Sequence, residues 1–225
     1  MILDNLNQIR YRIRLAAART GRDPDKVTLV AVTKYAKAEE VRDLIGAGLV
    51  SELGESRVQD AQAKQEALGP DAKKVRWRLI GHLQTNKAKK ALQVFDAIDS
   101  LDSERLAEAV ERGLAQDGRR MAALVQVKLS DKATQFGVAP EDLEGELAKL
   151  GAYPHLEVNG LMAIAPELEA VEATRPHFQR MRRLFDRFFK EKPGAQLSMG
   201  MSRDFEIAVE EGATMIRVGS DIFVP

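Results

Sequence analysis

The sequence predicts an α/β fold: a single (β/α)8 barrel of the TIM type with an additional helix at its N-terminus. Three observations carry this. Apolar strand-like runs alternate with helix-like segments along the chain, which argues for parallel strands joined by helical crossovers. Eight strand candidates can be counted, and eight suggest a closed barrel, at 225 residues slightly shorter than the typical ~250. No Pro/Gly/Ser-rich stretch is long enough to divide domains, so residues 1–225 read as one domain. An open doubly wound sheet is the competing fold.

The elements follow in order. Ile2, Leu6, Ile9, Ile13 and Ala16 or Ala17 recur at helical spacing, so residues 2–19 form an amphipathic helix. Strands are expected at 28–33, 51–53, 77–80, 95–98, 122–128, 156–164, 196–198 and 214–218. Of these, 51–53 (SEL) is short and poorly patterned. Helices are expected at 37–47, 56–68, 85–92, 103–115, 140–150, 168–190 and 203–211. The helix at 168–190 begins acidic (Glu167, Glu169, Glu172) and ends basic (Arg180, Arg182, Arg183, Arg187, Lys190, Lys192), an order that complements a helix dipole. A solvated surface helix is the plain reading of it.

Composition excludes several classes. Thirty-four basic residues balance 34 acidic ones, which gives no support to a nucleic-acid binder or a polybasic membrane anchor. With no cysteine, disulfides, thiolate nucleophiles and zinc–cysteine sites are excluded, and a reducing compartment is consistent. His82, His155 and His177 are too dispersed to suggest a histidine-rich metal site. The N-terminus lacks the apolar core of a targeting peptide, and no run approaches the ~18 apolar residues of a membrane span. A cytoplasmic protein is expected.

In a barrel the loops after the strands share one rim, so residues just past the strand ends form a ring whatever their separation in sequence. Lys34 ends the run Leu29-Val30-Ala31-Val32-Thr33. A partly desolvated ammonium there would have a lowered pKa and could form a Schiff base with an aldehyde. The rim would also hold 54–57, 81–84, 130–136, Ala165-Pro166, 198–202 and Gly219-Ser220, a set rich in glycine, serine and basic residues. Ser198-Met199-Gly200-Met201-Ser202 and Gly219-Ser220 suggest a phosphate cup, because glycine lets backbone approach and serine supplies a hydroxyl. For Ser202 an N-cap role competes. Alternation places Arg217 on the opposite face from Ile216 and Val218, with the barrel interior slightly preferred over the helix layer. His82 either caps the following helix or lies flat against a ring ligand, and Trp77 is most simply core.

Five segments together resemble the pyridoxal phosphate homeostasis protein family (the YggS/PROSC group), itself similar in fold to the barrel domain of bacterial alanine racemase. They are LVAVTK (29–34), GESRVQD (54–60), WRLIGHLQTNK (77–87), GLMAI (160–164) and LSMGMSRDFEIAVEEGATMIRVGSDIF (197–223). The resemblance implies that pyridoxal 5'-phosphate is the cofactor and that Lys34 holds it as an internal aldimine. It implies that Ser202, Gly219 and Ser220 bind the phosphate, within the loop of Ser198, Met199 and Gly200. Arg217 would face the pyridine nitrogen, and His82 and Ser56 would line the ring. The chain departs from the family pattern at Ser56, where the family has asparagine. Lys37 and Lys132 are only loose counterparts of the family's other lysines, and the ending Ile222-Phe223-Val224-Pro225 lacks the usual Phe-Gly.

The implied site is a weak catalyst. A guanidinium facing the ring nitrogen would keep it unprotonated and the electron sink poor. Barrel racemases add a second acid–base residue from a separate domain and a partner subunit, and proton transfer of that kind contributes ~10²–10⁴-fold. A chain ending at 225 has no room for that domain. Tyr11, Tyr35 and Tyr153 are poorly placed for the role, only Tyr35 lying near the site. The expectation is a non-catalytic carrier acting in vitamin B6 and amino-acid homeostasis, with cofactor-dependent apo-enzymes as recipients and the chain a monomer. The second reading is an amino-acid racemase or lyase. A third is an aldolase using Lys34 on a phosphosugar.

Overall fold

The structure is a computed structural model that describes residues 1–130 and 135–223. Eight parallel strands close into a barrel in sequence order, with β8 pairing back onto β1. The elements are α1 (Ile2–Arg19), β1 (Thr28–Val32), α2 (Ala38–Gly46), β2 (Glu52–Glu55), α3 (Val58–Leu68), β3 (Arg76–Leu79), α4 (Ala88–Val94) and β4 (Ala97–Leu101). They continue with α5 (Glu104–Asp117), β5 (Met121–Val127), α6 (Leu143–Leu150), β6 (Leu156–Ala163), α7 (Arg175–Phe189), β7 (Gln196–Ser198), α8 (Phe205–Glu210), β8 (Met215–Val218) and α9 (Ser220–Phe223). The closed barrel, not the open sheet, is therefore the fold.

Strand alternation builds two cores. Outward residues such as Leu53, Trp77, Leu79 and Ile98 bury against the helices. Trp77 donates its indole N–H to the Ala72 carbonyl, so its one polar atom is satisfied within this layer. Inward residues Val30, Leu124, Met162 and Met215 form a small apolar cluster inside the barrel. Beside it lies a polar cage. Arg78 is 1% exposed and makes three hydrogen bonds to Asp99 at 2.7–3.0 Å. It also donates to Glu52 at 3.2 Å and, across the barrel, to Gln196 at 3.1 Å. The carboxylates hold the Arg78 pKa above the usual guanidinium value, against the opposing effect of its burial.

α1 has the predicted bounds and buries the predicted face, Leu6, Ile9, Ile13, Ala16 and Ala17. It packs on α8 and α9. Arg12 bonds Glu206 at 2.7 Å and Asp221 at 2.8 Å, which pins the chain just beyond Gly219-Ser220. Three expectations need correction. β4 runs to Leu101 instead of ending at Ile98, because Asp99 has a buried guanidinium to meet and can stay in the strand. The long helix begins at Arg175, preceded by a single 3-10 turn and with Pro176 in its first turn, where the missing N–H costs nothing. Glu167, Glu169 and Glu172 thus precede it and no acid occupies its first turn, so of the dipole arrangement only the basic end, with Arg187 in the last turn, is present. Finally, α8 starts at Phe205, with Asp204 and not Ser202 in the N-cap position.

Candidate functional site

The barrel rim opens into a cleft of about 770 Å³. Its floor is made by the last inward residues of the strands, Val32, Ile80, Gln126, Ile164 and Arg217. Lys34, Ser56, His82, Ser202, Arg217, Gly219 and Ser220 all line it, so the fold gathers these sequence-predicted residues at one place. Ser198, Met199 and Gly200 do not line it. They lie beneath, with Ser198 and Met199 0% exposed.

Arg217 resolves toward the interior. It is 3% exposed, donating from Nη1 to Ser198 Oγ at 2.7 Å and from Nη2 to the Ala163 carbonyl at 2.8 Å. Burial pushes its pKa down to about 10, with Arg78 in the same direction and Asp99 and Asp204 opposing. That leaves it charged at neutral pH. Ser198 therefore serves the cleft indirectly, by holding the arginine.

The two glycine–serine loops meet. The Gly219 N–H points to Ser202 Oγ at 3.4 Å. Among the described residues, the backbone N–H groups of Ser202, Arg203 and Ser220 find no protein acceptor. Free amides and two hydroxyls at one end of a cleft are the donor set an oxyanion needs. Gly200 shapes this loop. Its φ is +94°, and a Cβ there would sit 2.5 Å from the Ala208 Cβ. We expect Gly200→Ala to lower stability by ~2 kcal/mol through backbone strain and overpacking, read as a fall in the urea midpoint. Asp204 closes the turn by accepting the Met201 N–H at 2.7 Å, and its burial raises its pKa.

On the opposite wall, His82 Nδ1 lies 2.8 Å from Asp102 Oδ2, and the imidazole stacks on Phe136 at 3.7 Å between centroids. It caps no helix. The following turn starts at Thr85 with Gln84 in the cap position. Gly81 allows this wall to approach Ser56, since a Cβ there would meet the Ser56 carbonyl at 2.3 Å. Lys34 is exposed at the cleft edge rather than partly desolvated, its Nζ 4.9 Å from the Tyr35 ring centroid. Lys37 is exposed and stands in the N-cap position of α2. Lys132 lies outside the described residues. Among the described residues no His/Cys/Asp/Glu cluster could hold a metal, and no helix is long and apolar enough to cross a membrane.

Several participants escape sequence reasoning. Asp204 reads as a first-turn acid. Gln135 and Gln126 carry no reactive chemistry, yet they tie together the described residues on either side of 131–134. Gln135 accepts from Leu129 and Ser130 and donates to Ile164, while Gln126 donates to Phe136. The interior cage had one available signal, namely charged residues at alternating strand positions (Glu52, Arg78, Asp99, Arg217).

The architecture defines a class: parallel barrels with a lysine after the first strand and glycine–serine loops with unpartnered amides after the seventh and eighth. The family described as "Alanine racemase, N-terminal domain" matches residues 5–225. A pyridoxal phosphate homeostasis protein of Aquifex aeolicus is 36% identical over 222 residues, covering 98% of this chain and 96% of the relative. A protein of Bifidobacterium adolescentis solved as an unknown superposes with a TM-score of 0.91 at 33% identity, covering 99% of this chain and 94% of that one. PipY of Synechococcus elongatus, solved with PLP bound, gives a TM-score of 0.84 at 38% identity, covering 99% of this chain and 100% of its own. The chain belongs to the pyridoxal phosphate homeostasis proteins of the alanine racemase N-terminal domain family.

Proposed function

We propose that this chain binds pyridoxal 5'-phosphate through Lys34 and serves intracellular vitamin B6 and amino-acid homeostasis as a carrier, without strong catalysis of its own. One observation carries the reading: among the described residues, the one lysine lining the cleft, Lys34, shares it with the Ser202, Gly219 and Ser220 cup. The donor set fits the group. The free amides and hydroxyls suit its phosphate, and His82 and Ser56 stand where its ring would lie. When bound, the cofactor supplies an aldehyde that condenses reversibly with a primary amine, with loss of water. The PLP-bound PipY and the names of the relatives support the same ligand.

The chain's own residues favour holding over turnover. Arg217 is buried and charged, and it already donates to Ser198 and Ala163. A guanidinium beside a ring nitrogen cannot take up a proton, so it leaves that nitrogen an acceptor and the electron sink weak. Of the three tyrosines only Tyr35 lines the cleft, and it is 89% exposed. Proton transfer needs a group held within hydrogen-bond reach of the reacting atom. We read residues 1–225 as one working domain, a cytoplasmic monomer that yields its cofactor to dependent apo-enzymes.

The test is spectroscopic. Purified protein loaded with cofactor and then freed of excess should keep a violet-region absorption band displaced from that of free cofactor. Borohydride should fix the adduct on Lys34, located by mass spectrometry. Incubation with L-alanine should give no steady inversion. Inversion at ordinary enzymatic rates would establish a racemase instead, and an adduct on another side chain would overturn the assignment.

A further inference from the structure

We propose that Glu55 and Lys64 are positioning residues for Lys34. Together they form a buried ion pair behind the strand end that fixes the peptide plane from which the lysine departs. The inference rests on the assignment of Lys34 above and deepens it.

Every polar atom of Thr33, the residue before Lys34, is committed. Its N–H donates to the Gly54 carbonyl at 3.0 Å. Its hydroxyl donates to Glu55 Oε1 at 2.7 Å. Its carbonyl accepts from Lys64 Nζ at 2.7 Å and from the Ala36 N–H at 2.9 Å. That carbonyl belongs to the peptide joining Thr33 to Lys34, so Lys64 grips the plane that sets the Lys34 Cα–Cβ direction. Lys64 is itself held by Glu55 Oε1 at 2.5 Å. Thr33 and Glu55 are 0% exposed. The Glu55 carbonyl accepts the Ile80 N–H at 2.9 Å, which ties the same clamp to the wall carrying Gly81 and His82.

Stability alone does not explain this group. Neighbouring outward positions of the same layer, Leu53, Trp77 and Leu79, are apolar. Glu55 Oε2 is buried with no partner. A buried ion pair with an idle oxygen is no more stabilising than a well-packed apolar pair, and is commonly less so. Lys34 meanwhile has no ion pair among the described residues, and its recorded side-chain contact is with the Tyr35 ring at 4.9 Å. Its aim is therefore set through the backbone, where the clamp acts. Small errors of aim matter, because misplacement by ~1 Å can cost on the order of 10²-fold in reactivity.

The test compares Lys64→Met, Thr33→Val, Thr33→Ser and the apolar pair Glu55→Leu/Lys64→Met, each with added pyridoxal 5'-phosphate. Three quantities are read: the dissociation constant, the pH midpoint of the violet-region band, and the urea midpoint. Lys64→Met and Thr33→Val should weaken retention about tenfold and shift the pH midpoint, since displacement of the reactive amine is felt in proportion to lost alignment. Thr33→Ser, which keeps the hydroxyl, should behave as wild type. The double variant should regain folding stability without regaining retention, which separates aim from fold and covers the case of a single variant that does not fold. Wild-type retention and band in a folded double variant would overturn the inference while leaving the Lys34 assignment intact. Absence of a borohydride adduct on Lys34 in the wild type would overturn both.

Discussion

Replacing Asp99 with alanine should cost ~3–5 kcal/mol of stability, the loss seen when one partner of a buried ion pair is removed. Asp99 supplies three of the bonds that hold Arg78, and Arg78 is 1% exposed. Without Asp99 the guanidinium keeps Glu52 and Gln196 but stays buried with too little countercharge. Because whole domains are stable by only ~5–15 kcal/mol, the variant should unfold at a much lower urea concentration. The effect should reach the cleft. Asp99 helps hold up the Arg217 pKa, so its removal drives that value further below about 10. A second variant, Asp99→Leu with Arg78→Met, should recover much of the stability, because it removes both charges of this pair and leaves Glu52 its ion pair with Arg76 at 3.5 Å. A loss below ~1 kcal/mol in Asp99→Ala would show that the cage is not structural.

The second large effect is functional. Lys34→Ala should abolish the borohydride adduct and the absorption band that distinguishes loaded protein from free cofactor, while leaving the stability read by urea unfolding within ~0.5 kcal/mol of wild type. Lys34 is exposed and carries no ion pair among the described residues, and such surface substitutions rarely move stability further. The cup of Ser202, Gly219 and Ser220 is untouched, so under the proposed assignment phosphate-mediated affinity remains, and gel filtration should show weak retention of cofactor with the absorption of the free aldehyde. A band that survives the substitution would place the covalent partner elsewhere.

Much of this was legible in the sequence for physical reasons that can be named. α1 shows a clear 3.6-residue period because its buried face meets a uniform apolar surface. The rim residues were legible because a parallel barrel gathers strand ends whatever their distance along the chain. β2 reads poorly because its inward and outward positions, Glu52 and Glu55, are both charged. Their partners come from other elements, Arg78 and Arg76 for Glu52, and Thr33 and Lys64 for Glu55. The same long-range pairing hides the true end of β4, where Asp99 looks like a turn residue until Arg78 is set beside it. The predicted start of the long helix fails upstream of Arg175 for a local reason: Val171–Thr174 forms a separate 3-10 turn that holds Glu172, and Glu167 and Glu169 precede that turn. Lys34 was expected to be desolvated by its position, but burial depends on loops whose course periodicity does not reveal.

The pairing of β8 with β1 places Arg217 beside Val30 in register. In translation the lysine emerges well before the arginine and the Ser202, Gly219 and Ser220 loops. Nascent chains released early would expose an amine with no cup to retain an aldehyde. Under the proposed assignment, cofactor capture waits for β8, and a proteolytic loss of that strand should discharge the ligand at once.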